Sequence, residues 1–381
     1  MDFSLSEEEL MFQSQVDELV EKEASREKVR QWDRERRFPK EFCDTVAKQG
    51  YLGLLIPEEY GGLGFKPIHY AIFLEGISRY SYDVGCSVGI PMFSSYSLVL
   101  AGNEEQKRRY LPPFVNGEIR MSTSVSESEA GSDAASIRTS AIAEGAHFVI
   151  NGEKIFSSGC HHPNTIIFLT AKTDPSAPRR KGISTFLVPN DTPGIEMQTL
   201  PLVARHIGGI NEIFLTDVKI PKENLLGGLN NGWEVMEATF DIERGITNAA
   251  GYVGNSQTAV SDALEYAKTR KQFGRPICKF QAISHMLVDM QIEVDAARFL
   301  VYRVADMVKR AQQATKEASM AKLYASEVFV DVTNKGIQVM GGYGLSEEYD
   351  MQRYWREARA STIAGATSQI HRLVIARAMG M

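Results

Sequence analysis

An acidic residue on an otherwise apolar helix face is the first feature that could carry chemistry. Between residues 231 and 269 no proline interrupts the chain, and apolar residues recur every three or four positions, as on one face of a helix. Glu243 falls on that face. Burying an unpaired carboxylate costs on the order of several kcal/mol. We therefore expect Glu243 to be paired with Arg244, to lie on a slightly rotated and solvated face, or to act as a base.

Four other segments carry motifs. Residues 126–133 read SESEAGSD, residues 154–158 read KIFSS, residues 270–276 read RKQFGRP, and residues 338–345 read QVMGGYGL. In this order and at this spacing, together with Gln281, they resemble the acyl-CoA dehydrogenase family, and the resemblance covers nearly all 381 residues. It implies a flavoprotein that contains FAD.

By this resemblance the flavin lies between a β-domain and a helical bundle. Ser126 stands at the family's flavin-contacting hydroxyl, where Thr is usual, and Ser132 stands at a contact to the phosphopantetheine arm. The family usually has Lys-x-Trp-x-Thr where this chain has KIFSS. Phe156 can still stack on the isoalloxazine but lacks the indole N–H, and Ser158 keeps the hydroxyl. Without the resemblance, Ser126 would belong to a Ser-rich loop and Phe156 to a strand core.

The resemblance also assigns the other half of FAD. Arg270, Gln272 and Phe273 correspond to residues that reach the pyrophosphate and adenine across a subunit boundary, with Gln281 nearby. Arginine suits this role because its planar guanidinium pairs bidentately with phosphate. The remaining FAD-contacting positions are Gln338, Gly341, Gly342, Thr367 and Gln369. Because such sites are shared between protomers, the resemblance implies a homo-oligomer, at least a dimer and usually a tetramer.

The position of the base differs from that in most of the family. Most members carry it in a segment Tyr-Glu-Gly-Thr-Ser-Gln, but residues 363–370 read IAGATSQI, so that Gly365 replaces the glutamate. Glu243 matches the helix position from which a minority of members, including isovaleryl-CoA dehydrogenases, deliver the base. Those members likewise have a small residue in the C-terminal segment. We therefore expect Glu243 to be the catalytic base.

Dehydrogenation between C2 and C3 of a thioester needs a base for the C2 proton and an acceptor for the C3 hydride, which no side chain provides. The sequence has no strand-GxGxxG-helix unit, so the flavin must be held in another way. We expect the Gly365 N–H and a flavin ribityl hydroxyl to hold the thioester carbonyl, while Glu243 takes the proton from the opposite side. The remaining expected substrate-site residues are Phe240, Asp241, Arg244 and Ala364. Of these, Asp241 and Arg244 are expected to steady the helix or the CoA arm.

The predicted function is α,β-dehydrogenation of an acyl-CoA, with electrons passed to an electron-transfer flavoprotein. The small side chains of residues 364–366 leave room for a short, branched or cyclic acyl group. Three alternatives remain open: an enoyl-CoA reductase of the same fold acting on a carnitine-like thioester, a carrier-protein-bound acyl oxidase or flavin monooxygenase, and a non-catalytic scaffold protein.

The elements that must position these residues change character twice along the chain. Residues 1–118 read as short helices, and residues 119–228 as β-branched and aromatic runs separated by prolines. Residues 229–381 read as long helices, predicted at 231–269, about 282–313, 316–340 and from about 369 onward. The predicted fold class is α+β: an N-terminal helical domain, a middle β-barrel or sandwich, and a C-terminal four-helix bundle.

Composition excludes other classes. The chain is 24% charged and 43% apolar, as in soluble globular proteins, and its net charge of −6 argues against nucleic acid as a partner. The four cysteines form no C-x-x-C pair, and neighbouring His161 and His162 on a strand would face opposite sides, so we expect no metal. The N-terminus is neither a secretion signal nor a transit peptide, and no window approaches the ~18 apolar residues of a membrane span. We expect a cytoplasmic protein.

Overall fold

The structure is a computed structural model that describes residues 4–381. The chain begins with helices. Ser6 caps the first of them, and Glu9 completes the capping box by accepting from the Ser6 backbone N–H. The helices are α1 (Glu7–Glu23), α2 (Arg26–Glu35), α3 (Lys40–Lys48), α4 (Pro67–Ile77), α5 (Tyr82–Ala101) and α6 (Glu104–Val115).

Helix α5 corrects the expectation that no segment is long and apolar enough to span a membrane. By length and composition it could do so, since its most apolar window has a mean hydropathy of 1.5. Of that window 72% is buried within the protein, however, as in the core helix of a soluble fold. No other helix between residues 4 and 381 meets the same criteria.

The middle of the chain forms strands, as predicted. They are β1 (Arg120–Ser124), β2 (Ser140–Glu144), β3 (His147–Ser158), β4 (Thr165–Lys172), β5 (Ile183–Pro189), β6 (Ile195–Thr199), β7 (Ile210–Pro221) and β8 (Leu225–Leu226). They form one sheet in the order β6-β7-β3-β2-β4-β5-β8, and β1 pairs in parallel with β4. Fully buried residues such as Ile150, Leu169 and Ile213 make up its core.

The rest of the chain returns to helices: α7 (Gly232–Ile242), α8 (Ala249–Thr269), α9 (Gln281–Lys309), α10 (Thr315–Met340), α11 (Met351–Ser361) and α12 (Ser368–Ala378). A short hairpin of β9 (Lys271–Gln272) and β10 (Arg275–Pro276) precedes α9. Two features differ from the predictions. A π-helical segment, Glu243–Asn248, interrupts the helix predicted over 231–269, and the sequence reasoning missed α11.

The chain divides into two compact units. Unit 1 contains the chain up to Arg37 together with Pro67–Cys86 and Asp241–Met381, and unit 2 contains Phe38–Lys66 and Ser87–Phe240. Unit 1 therefore packs helices from both ends of the sequence around α8 and α10, and unit 2 contains the sheet.

Candidate active site

Glu243 is the first residue of the π-helical segment. The Thr247 hydroxyl donates to the Ile242 carbonyl at 3.1 Å and lies 2.8 Å from the Tyr70 hydroxyl. The segment also packs tightly, because a Cβ on Gly245 would lie within 2.9 Å of both α9 and α10. A π-turn inserts one residue and so changes the direction of the side chains that follow, and such turns are frequent at functional sites.

The Glu243 carboxylate makes no hydrogen bond or ion pair with any residue in the range 4–381, and the side chain is partly exposed. Desolvation raises its pKa above the ordinary value, and the positive charges of Arg244 and Lys322 offset part of this rise. Of the three alternatives for Glu243, the ion pair with Arg244 is not found among residues 4–381, where Arg244 acts on Glu243 only through its charge. A desolvated, unbonded carboxylate of raised pKa has the properties of a general base.

Gly365 lies beside Glu243, in the loop between α11 and α12. A Cβ built on Gly365 would lie 3.8 Å from Glu243 Oε1 and 2.7 Å from Asn248 Nδ2. Gly365 has φ +62°, where glycine is favoured. Its carbonyl accepts from His371 Nε2 at 3.0 Å, whereas its N–H has no acceptor among residues 4–381. The predicted base and the predicted carbonyl donor are therefore neighbours. Neither the Glu243 carboxylate nor the Gly365 N–H forms a hydrogen bond with another group among residues 4–381.

Three side chains around this site were missed by the sequence reasoning. Asn248 faces Gly365, and its Oδ1 accepts from the Tyr82 hydroxyl at 2.9 Å. Lys322 in α10 donates to the carbonyls of Ser361, at the end of α11, and Ala366, in the Gly365 loop. His371 has its pKa lowered to about 3, mainly by burial and further by the charges of Lys322 and Arg244, so it is neutral at physiological pH. Only Lys322 left a signal in the sequence, as a charge within the apolar stripe of α10.

The other expected substrate-site residues have varied surroundings. Asp241 Oδ2 accepts from the Ala314 N–H at 3.0 Å, which stabilises the start of α10. Arg244 is the charged neighbour of Glu243 in the π-helical segment. Ala364 is exposed in the Gly365 loop, and Phe240 is partly exposed near the end of α7.

The residues expected at the pyrophosphate and adenine half of FAD line one groove of unit 1. The groove has a volume of about 830 Å³, and its lining includes Arg270, Gln272, Phe273, Gln338, Gly341 and Gly342. The Arg270 guanidinium lies over the Tyr343 ring at 5.6 Å and forms no ion pair with any residue from 4 to 381. A Cβ on Gly341 or Gly342 would meet nothing within 4 Å. An unpaired guanidinium beside open backbone fits a pyrophosphate group.

The remaining expected FAD contacts of this unit lie outside the groove lining. Gln281 is the first residue of α9, next to the groove residue Phe280. Thr367 caps α12, since its hydroxyl accepts from the Ile370 N–H at 3.3 Å, and Gln369 is exposed in the first turn.

In unit 2 the two flavin-ring motifs are brought together. The Ile155 N–H donates to the Ser126 carbonyl at 2.9 Å. Beneath them lies a buried ion pair of 2.8 Å between Lys154 Nζ and Glu127 Oε1. The Glu127 carboxylate also accepts hydrogen bonds from the backbone N–H groups of residues 138 and 139. This pair fixes the 126–133 loop to β3. Ser132 is exposed in the same loop.

Phe156 is not a core strand residue. It is 59% exposed and has φ +60°, a strained value for a residue other than glycine. Ser158 holds the end of β3, where its carbonyl accepts from Ser122 Oγ at 2.7 Å. An aromatic ring held outward on a strained backbone is suited to stacking against a planar ligand.

The prediction that His161 and His162 face opposite sides of a strand is wrong. β3 ends at Ser158, so His161 and His162 lie in a turn, and their ring centroids are 4.0 Å apart. His161 Nδ1 accepts from Asn211 Nδ2 at 2.9 Å, and His162 Nε2 lies 3.1 Å from the Gly208 carbonyl. Among residues 4–381 no three His, Cys, Asp or Glu side chains are grouped to hold a metal.

Family models of the acyl-CoA dehydrogenase N-terminal, middle and C-terminal domains match residues 6–118, 122–218 and 230–380. The chain is 37% identical over 372 residues to the caffeyl-CoA reductase-Etf complex subunit CarC of Acetobacterium woodii, covering 97% of each chain. It is 38% identical to the probable acyl-CoA dehydrogenase YngJ of Bacillus subtilis, covering 99% of each.

Among solved structures, butyryl-CoA dehydrogenase of Megasphaera elsdenii matches with a TM-score of 0.95 at 32% identity, covering 100% of both chains. The predicted order of a helical, a β and a helical domain is thereby confirmed. The chain belongs to the acyl-CoA dehydrogenase family and is an FAD-dependent oxidoreductase.

Proposed function

We propose that this protein dehydrogenates an acyl-CoA thioester to the trans-2-enoyl-CoA, with Glu243 as the base. One observation supports this most strongly. The unbonded, desolvated carboxylate of Glu243 lies beside Gly365, whose N–H is also without a protein partner among residues 4–381. A base and a carbonyl donor side by side are what removal of the C2 proton of a thioester requires.

Gly365 and Glu243 have different roles in the proposed dehydrogenation. The Gly365 N–H donates to the thioester carbonyl, which gains negative charge as the C2 proton leaves. Glu243 accepts that proton, and its raised pKa matches it better to this transfer near neutral pH. Bound FAD supplies the acceptor for the C3 hydride, which no side chain can provide. The product is a thioester with a C2=C3 double bond.

Two groups of residues would hold FAD. In unit 2, Ser126 and Ser158 offer hydroxyls and Phe156 an exposed ring to the flavin. The groove with Arg270 and Gly341, in unit 1 of a second copy of the chain, would hold the pyrophosphate and adenine half across the subunit boundary.

A homo-oligomer completes the proposal. Phe273 is 94% exposed at the tip of the β9-β10 hairpin, where Phe273 and Gly274 both have positive φ. A second copy of the chain would cover this exposed ring, at the subunit boundary that the family resemblance implies for Phe273. Size-exclusion chromatography with light scattering should give a dimer or tetramer. A monomer that retains FAD would contradict this part.

The proposed substrate is a short, branched or cyclic acyl-CoA, because residues 364–366 carry only small side chains and Gly365 lies beside Glu243. The proposed electron acceptor is an electron-transfer flavoprotein, supported by the Acetobacterium woodii relative, which is named as a subunit of a reductase-Etf complex. A cytoplasmic location agrees with these assignments and remains part of the proposal.

The same relative favours a second candidate, reduction of an enoyl-CoA in the reverse direction. Glu243 would then be protonated and would deliver its proton to C2. The geometry of Glu243 and Gly365 serves both directions equally, so the direction depends on the partner and on the substrate.

Anaerobic titration of the FAD-loaded protein with straight, branched and cyclic acyl-CoAs tests the proposal. We expect short or branched thioesters to bleach the visible flavin band. A flavin that no saturated thioester bleaches, but that is reoxidised by an enoyl-CoA after chemical reduction, would establish the reductase instead. Preference for straight long chains over every branched thioester would refute the substrate class.

A further inference from the structure

A buried lysine close to the proposed base is not explained by any of the motifs. The Lys322 side chain, in α10, is fully buried. Its ammonium group forms no ion pair with a carboxylate within the part of the chain that the structure describes, and donates instead to the carbonyls of Ser361 at 2.9 Å and Ala366 at 2.7 Å. Burying a charge without a countercharge is costly, and carbonyl oxygens offset only part of that cost.

The two carbonyls held by Lys322 mark the two ends of the Gly365 loop. Helix α11 ends at Ser361, and Ala366 lies two residues before the start of α12. Between them, the Gly365 carbonyl accepts from His371 Nε2. Side chains from α10 and α12 therefore fix the carbonyls on both sides of the Gly365 N–H. That N–H itself has no acceptor among residues 4–381.

Lys322 also interacts with Glu243 through charge. Its positive charge lowers the pKa of Glu243 against the larger, opposite effect of desolvation, while burial lowers the pKa of Lys322 to about 7. The other charged groups facing this pair are Arg244 in the π-helical segment and Glu327 in α10. His371 in α12 is neutral and adds no charge at physiological pH.

We propose that Lys322 is a positioning residue for the proposed dehydrogenation. Its ammonium group clamps the loop that presents the Gly365 N–H to the thioester carbonyl, and its positive charge favours the ionised form of Glu243, which accepts the C2 proton. The inference rests on the proposed function for its role in catalysis, whereas the clamp and the charge effect are properties of the protein without substrate.

The variants K322M and K322Q separate the two effects, because both remove the charge and only glutamine keeps a donor. The control is K335M in the same helix, where Lys335 pairs with Glu293 and Asp331 instead. K322R retains the charge and serves if either neutral variant fails to fold. All are compared as FAD-loaded protein.

Two measurements need no substrate. The infrared carboxyl band of Glu243 is identified as the band that the E243Q variant lacks. Following this band through a pH titration gives the protonation midpoint of Glu243. We expect K322M and K322Q to raise it by about one pH unit, since an opposite charge has been removed, and K335M and K322R to leave it in place. Amide hydrogen exchange of residues 362–367 should become about tenfold faster in K322M and less so in K322Q.

The third measurement is the anaerobic rate of flavin reduction by an acyl-CoA, which we expect to fall about 10²-fold in K322M because the carbonyl donor is misplaced. An unmoved Glu243 midpoint in both neutral variants would overturn the charge effect, and unchanged loop exchange would overturn the clamp. If no thioester reduces the wild-type flavin, the proposed function fails. The first two measurements still decide the clamp and the charge effect.

Discussion

Two glutamate–lysine pairs in this protein are arranged in opposite ways. In unit 2, Lys154 Nζ and Glu127 Oε1 are 2.8 Å apart; desolvation acts to raise the pKa of Glu127, but contact with Lys154 brings it below its ordinary value. In unit 1, Lys322 bonds to backbone carbonyls, and the Glu243 carboxylate remains unpaired with a raised pKa. The first pair neutralises its charges for structure, and the second leaves a carboxylate available for proton transfer.

Replacing Glu243 should have the largest effect on rate. E243Q keeps the shape of the side chain but removes the base, so we expect flavin reduction by the best acyl-CoA to slow by about 10³-fold. Anaerobic rapid mixing measures this rate. The visible flavin spectrum and the stability should stay as in the wild type. A rate within tenfold of the wild type would show that another group removes the proton.

The matched variant in unit 2, E127Q, should lower the stability of the protein and leave the rate of flavin reduction nearly unchanged. E127Q leaves the Lys154 ammonium buried without its countercharge, and we expect the free energy of unfolding to decrease by about 3–5 kcal/mol. Denaturant unfolding of the FAD-loaded protein measures this. The flavin that remains bound should still be reduced at a rate within a few-fold of the wild type. A large loss of rate without a loss of stability would remove the contrast between the two pairs.

A methyl group at residue 365 tests the closeness of the base and the loop. In G365A the new Cβ would lie 2.7 Å from Asn248 Nδ2, and the backbone has positive φ. We expect flavin reduction to slow about tenfold and stability to fall by about 1 kcal/mol. Adding N248A should restore part of the rate, because it removes the crowding but not the strain.

The control for G365A is G145A, at a turn glycine with φ +55° and no atom within 4 Å of the added Cβ. It should lose similar stability with an unchanged rate. Additive effects of G365A and N248A in a double-mutant cycle would contradict the contact between the two residues.

The smallest expected effect concerns the hydrogen bond that orients Asn248. Y82F removes the hydroxyl that donates to Asn248 Oδ1 at 2.9 Å, and we expect a loss of about 1 kcal/mol in stability and a two- to five-fold slower flavin reduction. Y60F, which removes a hydrogen bond to Glu104 in unit 2, should leave the rate unchanged. Equal rate losses in both variants would mean that the effect is not specific to the site.

The order of helical, β and helical regions could be predicted from the sequence, because the spacing of apolar residues and the proline content change sharply near residues 119 and 229. It could not predict the π-helical segment, which depends on the long-range contact of Thr247 with Tyr70 and on packing at Gly245. Helix α11 was missed because its buried face carries the charged residues Arg353 and Glu357, which form hydrogen bonds with Tyr80 and Ser81, far away in the sequence.

The site residues followed the same division. Glu243 and Gly365 could be predicted as site residues because Glu243 matches a minority family position for the base and Gly365 replaces the glutamate that most members have. The side chains that hold them had no such pattern: Asn248 and His371 are ordinary polar residues in helices, and their roles arise only where α8, α12 and the Gly365 loop meet.

The most direct test of Glu243 as the base follows proton removal without hydride transfer. A 3-thiaacyl-CoA has C2 hydrogens but sulfur in place of C3, so the enzyme in D₂O can only exchange the C2 position, which mass spectrometry detects. We expect rapid deuterium uptake with the wild type and a loss of about 10³-fold with E243Q. Undiminished exchange by E243Q would contradict the assignment of Glu243 as the base.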